Sequence, residues 1–197
     1  MTDCSKSFSN LNTKPEDMPE TFAYPLSDFY AHAKLPMPRI EVISADAVPE
    51  PYQSLLVHKN DMTPTLEAFH DSRIHLELVK KDHRGGFYFR EVILRLDRDE
   101  KPVEFGANKL HIGIFSEEAQ EQILLEQVPL GRILKECGVR HVTEAKFFLR
   151  VEPDELICRA LELESPVTLY GRKAVISDHK GLVLSEIVEI LPQSAVA

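Results

Sequence analysis

The sequence has no tryptophan, three cysteines and eight glycines among its 197 residues. Cys4, Cys137 and Cys158 are an odd and widely scattered set, which excludes a disulfide framework and a cysteine-based metal motif. Cys137 and Cys158 fall in apolar helical patterns and read as packed thiols. No apolar run approaches the ~20 residues of a membrane span. The opening stretch MTDCSKSFSNLNTKPEDMPE lacks the apolar centre of a signal peptide, so the expected location is the cytoplasm. No G-x-G-x-x-G, P-loop or G-x-S-x-G pattern occurs, and dinucleotide, nucleotide-phosphate and serine-hydrolase chemistry therefore lack their usual marks. The eight histidines show no zinc spacing; His70 and His75 are expected on different elements. No metal and no cofactor is expected. Basic residues number 23 against 32 acidic ones, a net charge of −9, which disfavours a nucleic-acid binder but not a local basic pocket for a small anion.

Prolines, by contrast, are plentiful and unevenly placed. Seven of the 13 lie in residues 1–52. Residues 1–50 therefore read as an N-terminal tail, partly disordered, followed by an extended segment held by Tyr24, Phe29, Tyr30, Leu35 and Ile40. Residues 51–197 read as the packed domain. Within it, Thr63 and Pro64 fit the cap and first position of a short helix, and Ser116 fits the cap of SEEAQEQILLEQV. RIHLELVKK, FYFREVILRL, PVEFGANKLHIGIF and VRHVTEAKFFLRV carry strand composition. PVTLYGRKAVIS, the turn DHKG and LVLSEIVEIL form a closing hairpin. Strands joined by short turns, with helices in separate blocks, predict an α+β fold with an antiparallel sheet covered by helices.

Two strands carry a charge on an aliphatic face. In FYFREVILRL, Arg90 shares a face with Tyr88, Val92, Leu94 and Leu96. In LVLSEIVEIL, Glu186 lies among Leu182, Leu184, Val188 and Ile190. A buried, unpaired charge costs several kcal/mol or more, so each needs a partner. One reading is structural: the two pair with each other or with backbone groups. The other is a sequestered anion site in which Arg90 holds a carboxylate by its planar fork and Glu186 meets a hydroxyl or a migrating proton. PLGRILKE likewise has two readings. Leu130 and Gly131 open a helix, where free N–H groups receive an anion, or Leu130, Ile133 and Leu134 simply pack on the sheet.

The segments LLVHKNDMT, REVILRLDRDEKPVEFG, PLGRIL, LYGRKAVI and LVLSEIVEILP, in this order, resemble the chorismate lyase (chorismate pyruvate-lyase) family over roughly residues 55–192. The resemblance implies an antiparallel sheet of about six strands, a pocket closed beneath helical flaps, and a cofactor-free conversion of chorismate to 4-hydroxybenzoate and pyruvate. The family's ligand contacts fall on Met62, Arg90, Leu130 and Glu186. By that analogy Arg90 binds the ring carboxylate, Glu186 contacts the 4-hydroxyl side, and both are the expected catalytic residues. Met62 and Leu130 line the pocket.

Bacterial members tend to carry an arginine after the glycine of the second central strand. Here Ala107 follows Gly106, and Lys109 is the remaining candidate for a second anion contact. The same fold serves as the effector-binding (UTRA) domain of many bacterial transcription regulators, which makes a non-catalytic binding protein for an aromatic or other organic acid the alternative. Those regulators carry a winged-helix domain in front, and residues 1–50 are short and proline-rich for one. The expected partner is a small molecule, with no nucleic acid and no membrane; a homodimer is compatible with the sequence.

Overall fold

The structure, a computed structural model, describes residues 22–193. Seven strands form one fully antiparallel sheet: β1 (Arg39–Ile43), β2 (Ile74–Arg84), β3 (Phe87–Leu96), β4 (Pro102–Leu110), β5 (His141–Glu152), β6 (Leu169–Asp178) and β7 (Val183–Leu191). Their order across the sheet is β1-β5-β6-β7-β4-β3-β2. The expected α+β class and helix-covered antiparallel sheet are found, with one strand more than the six expected.

The additional strand comes from the segment predicted to run merely extended. Residues 22–50 contain α1 (Leu26–Ala33) and β1, which pairs with β5 from Arg39↔Glu152 to Ile43↔Phe148. Leu26, Phe29 and Tyr30 recur at helical spacing and are buried against the sheet. The packed unit thus begins well before residue 51. Residues 1–21, including Cys4 and the predicted tail, lie outside the described residues. Cys137 and Cys158 are partly buried free thiols.

Helices cover both faces. On one, α1 and α6 (Glu155–Ala160) pack on Phe89, Ile93, Phe105, Leu149, Val188 and Ile190. On the other lie α2 (Tyr52–Leu56), α3 (Met62–His70), α4 (Glu117–Leu125) and α5 (Leu130–Glu136). Strands β3, β4 and β7 are therefore buried on both sides, which explains their nearly continuous apolar composition. Ser116 caps α4 as expected, its hydroxyl accepting from the Ala119 N–H at 3.3 Å. The predicted cap of α3 moves: Asp61 holds the cap position and Thr63 lies inside the helix.

Gly171 of β6 is required by the close approach of β7. A Cβ there would stand 2.3 Å from the Glu189 carbonyl oxygen and 3.2 Å from the Ile190 Cα, both backbone atoms. Gly171→Ala is expected to lower stability by about 1–3 kcal/mol through overpacking, measurable as a shifted urea midpoint.

Candidate functional site

Arg90 points to the face covered by α3 and α5. It pairs in register with Asn108 of β4, and Asn108 with Ile187 of β7, so these three side chains share that face. A narrow cavity of about 40 Å³ lies there, between the sheet and the two helices. Met62 and Leu130, the first residues of α3 and α5, line its helical side; Arg90, Asn108, Glu104 and Glu189 supply polar groups from the sheet. Arg90 is 1% exposed, and its Nε and Nη1 have no hydrogen-bond partner among the described residues. Burial lowers its pKa to about 10, with Tyr88 and Glu126 opposing, so the guanidinium stays charged at neutral pH. Glu126 acts on it through charge alone, being engaged by the Tyr88 hydroxyl at 2.6 Å and by Lys81 at 2.8 Å.

Arg172 of β6 is the second fully buried arginine, and its situation is opposite. Nε donates to Glu189 Oε2 at 2.5 Å, and the Nη groups donate to the carbonyls of Leu56, His58 and Asn60 at 3.3, 3.4 and 3.1 Å. Arg172 therefore ties the floor of the cavity to the loop that leads into α3.

The helical roof is fixed at Asp61. Thr143 Oγ1 donates to Asp61 Oδ1 at 2.6 Å, and His141 Nε2 lies 2.8 Å from Oδ2. A Cβ on Gly131 would stand 3.2 Å from Asp61 Cβ, so the glycine in α5 is what lets the two helix starts abut. Burial works against ionisation of Asp61, but the bonds from His141 and Thr143 prevail and hold its pKa below 3.8. The hydrogen bond to Asp61 raises His141 above 6.5, against the opposing effect of burial. The raised histidine stabilises the fold below its unfolded pKa and loses that contribution as pH rises through its folded value. The depressed aspartate contributes above its unfolded pKa and loses its contribution as pH falls through the folded one. The stability difference between wild type and His141→Gln is expected to be largest near pH 5–6 and to shrink above pH 7, as read from melting temperatures across that range.

Glu186 lies on the other face. Its register partner is Lys109, which pairs in neither row with Arg90. Glu186 Oε2 accepts from Lys109 Nζ at 3.2 Å and Oε1 from Lys173 Nζ at 3.1 Å; Lys173 also donates to the Tyr24 carbonyl at 2.5 Å. Burial would raise its pKa, but the two ammonium groups outweigh burial and lower it. Lys109 Nζ stands 4.3 Å from the Phe87 ring centre. The two-ended site expected from Arg90 and Glu186 is thus not formed, and Lys109 gives the cavity no second cation. The structure brings Met62, Arg90 and Leu130 together at the cavity; Glu186 is not among its lining residues, whereas Glu104 and Glu189 are. The acids missed at the cavity, Glu104 and Glu189, share their strand rows with other polar residues, Asn108 and Ser185, so alternation did not single them out as it did Glu186.

Among the described residues no cluster of His, Cys, Asp and Glu is arranged to hold a metal ion. Among the described residues no helix is long and apolar enough to cross a membrane.

The same kind of sheet with covering helices is found in solved bacterial proteins. Similar solved structures include PhnF from Mycobacterium smegmatis (TM-score 0.54, 12% identity, covering 72% of this chain and 67% of that one). The effector domain of PhnF from the same organism aligns with a TM-score of 0.53 at 13% identity, over 68% of this chain and 90% of that one. The possible transcriptional regulator YydK from Bacillus subtilis aligns at 0.50 and 8% identity, over 64% and 62%. At these identities the likeness is one of fold. No family model matches the chain, and no curated protein matches it in sequence.

Proposed function

We propose that this chain is a cytoplasmic small-molecule binding protein whose ligand is an organic acid, its carboxylate held by Arg90 between the sheet and helices α3 and α5. The observation that carries the reading is the buried, charged guanidinium with Nε and Nη1 unpartnered. Folding leaves that cation desolvated, which is unfavourable by several kcal/mol, and a planar carboxylate offsets the cost through paired, charge-assisted bonds. A cavity of about 40 Å³ holds a few water molecules, so a ring-sized acid requires α3 and α5 to part. Isothermal titration of the purified chain with benzoate and 4-hydroxybenzoate tests the reading. Saturable binding of either supports it, and heats equal to dilution for both would overturn it.

A second reading is cleavage of chorismate to 4-hydroxybenzoate and pyruvate. It is favoured by the convergence of Met62, Arg90 and Leu130, three of the positions implied by the sequence resemblance, on one cavity. In that reaction Arg90 would orient the ring carboxylate, and Glu189, which lines the cavity where Glu186 does not, would be an acid beside the ring. Because loss of enolpyruvate with aromatisation is downhill, orientation and fixed charge are the chief demands on the protein. Incubation with chorismate, followed by assay of both products, decides it: formation of both, lost in Arg90→Met, identifies a lyase, and their absence at high protein concentration leaves the binding reading.

A further inference from the structure

Arg90 accounts for one end of the cavity; the acids at the other end carry further information. Glu104 is 4% exposed, and its Oε2 has no hydrogen-bond partner among the described residues. Its Oε1 lies 3.0 Å from where a Cβ of Gly106 would be, so the carboxyl group folds back over that glycine. Gly106 is the register partner of Glu189. The two carboxyl groups are therefore cross-strand neighbours on the cavity floor. One guanidinium serves them, and Arg172 is already committed to Glu189 and three carbonyls. Like charges this close do not both ionise readily in a dry site. Burial and the Glu189 charge hold the Glu104 carboxyl well above the usual carboxylate range, outweighing Arg172.

A protonated carboxyl both donates and accepts, which matches a hydroxyl and not a second anion. Among the residues lining the cavity Arg90 is the one cation, so a single carboxylate is matched. The Arg90–Asn108 row and the Gly106–Glu189 row are two residues apart along the strands, roughly 7 Å. Folded over Gly106, the Glu104 carboxyl meets the cavity further along the strands than the Arg90–Asn108 row.

We propose that Glu104 is the specificity residue of this site, taking a hydroxyl at the far end of a monoanionic hydroxy acid and, with Glu189, rejecting a ligand that bears a second carboxylate there. The inference rests on Arg90 holding the first carboxylate, as set out above.

The test is calorimetric titration at pH 7 with three probes of matched shape: 4-hydroxybenzoate, benzoate and terephthalate. Wild type is expected to bind 4-hydroxybenzoate about ten-fold or more tighter than benzoate, and terephthalate weakest. Glu104→Leu should abolish the preference for the hydroxyl while still binding benzoate. Glu104→Gln, which keeps shape and neutral polarity, should retain it. Terephthalate binding as tight as 4-hydroxybenzoate, or an undiminished hydroxyl preference in Glu104→Leu, would overturn the role of Glu104 and leave the Arg90 site standing. Binding of none of the three probes by folded wild type would overturn the acid site itself, and this inference with it.

Discussion

Arg172→Met is expected to lower the stability of the protein by about 3–5 kcal/mol, because it strands a buried carboxylate. Arg172 is fully buried, and the Glu189 carboxylate it holds is 5% exposed beside a second buried acid, Glu104. Removing the guanidinium leaves Glu189 without its charge partner and the carbonyls of Leu56, His58 and Asn60 without their donor. Urea unfolding of the two proteins measures the loss. The double variant Arg172→Met/Glu189→Gln should recover a large part of the loss, because it removes both members of the pair. A loss in the single variant below about 1 kcal/mol would mean that the ion pair is dispensable.

Arg90→Met is expected to act in the other direction on stability and to abolish acid binding. Arg90 is as deeply buried as Arg172, but it makes no hydrogen bond through Nε or Nη1 to any described residue. Replacing an unsatisfied buried charge by an apolar side chain of similar length removes a desolvation cost, so the ligand-free variant should be more stable by about 1–4 kcal/mol. Its affinity for a carboxylate ligand should fall by about 2–5 kcal/mol, the magnitude for loss of a desolvated charge partner. The opposite signs expected for two equally buried arginines distinguish a residue that holds the fold from one kept for a ligand. If both substitutions destabilise alike, Arg90 has a structural partner and is not a binding group.

The features visible in the sequence were those that depend on neighbours along the chain. The β6–β7 hairpin, the Ser116 cap and the strand FYFREVILRL follow from turn chemistry, capping and β-rich composition, and the structure contains all three. Arg90 stood out because a charge in a row of Tyr88, Val92, Leu94 and Leu96 is improbable without a use. What alternation could not supply was which face of one strand matches which face of another. β7 is covered on both sides, and the register Lys109↔Glu186 and Gly106↔Glu189 is what places its two acids on opposite faces. The same limit hid Glu104, whose role depends on its folding back over Gly106 beside Glu189.

The missed α1 has a different cause. Pro25, Pro36 and Pro38 around it suggest an extended chain, yet Leu26, Phe29 and Tyr30 already show helical spacing within the eight residues between the turns. β1 is five residues long and lies at the sheet edge, where composition is a weak guide.

Arg90 as the carboxylate-binding group of a closed cavity is the claim on which the functional account depends. Its most direct test is titration of 4-hydroxybenzoate into wild type and Arg90→Met at pH 7, with circular dichroism confirming that both are folded. The account predicts saturable binding to wild type and affinity at least about thirty-fold weaker in the variant. Equal affinity for the two proteins would contradict it.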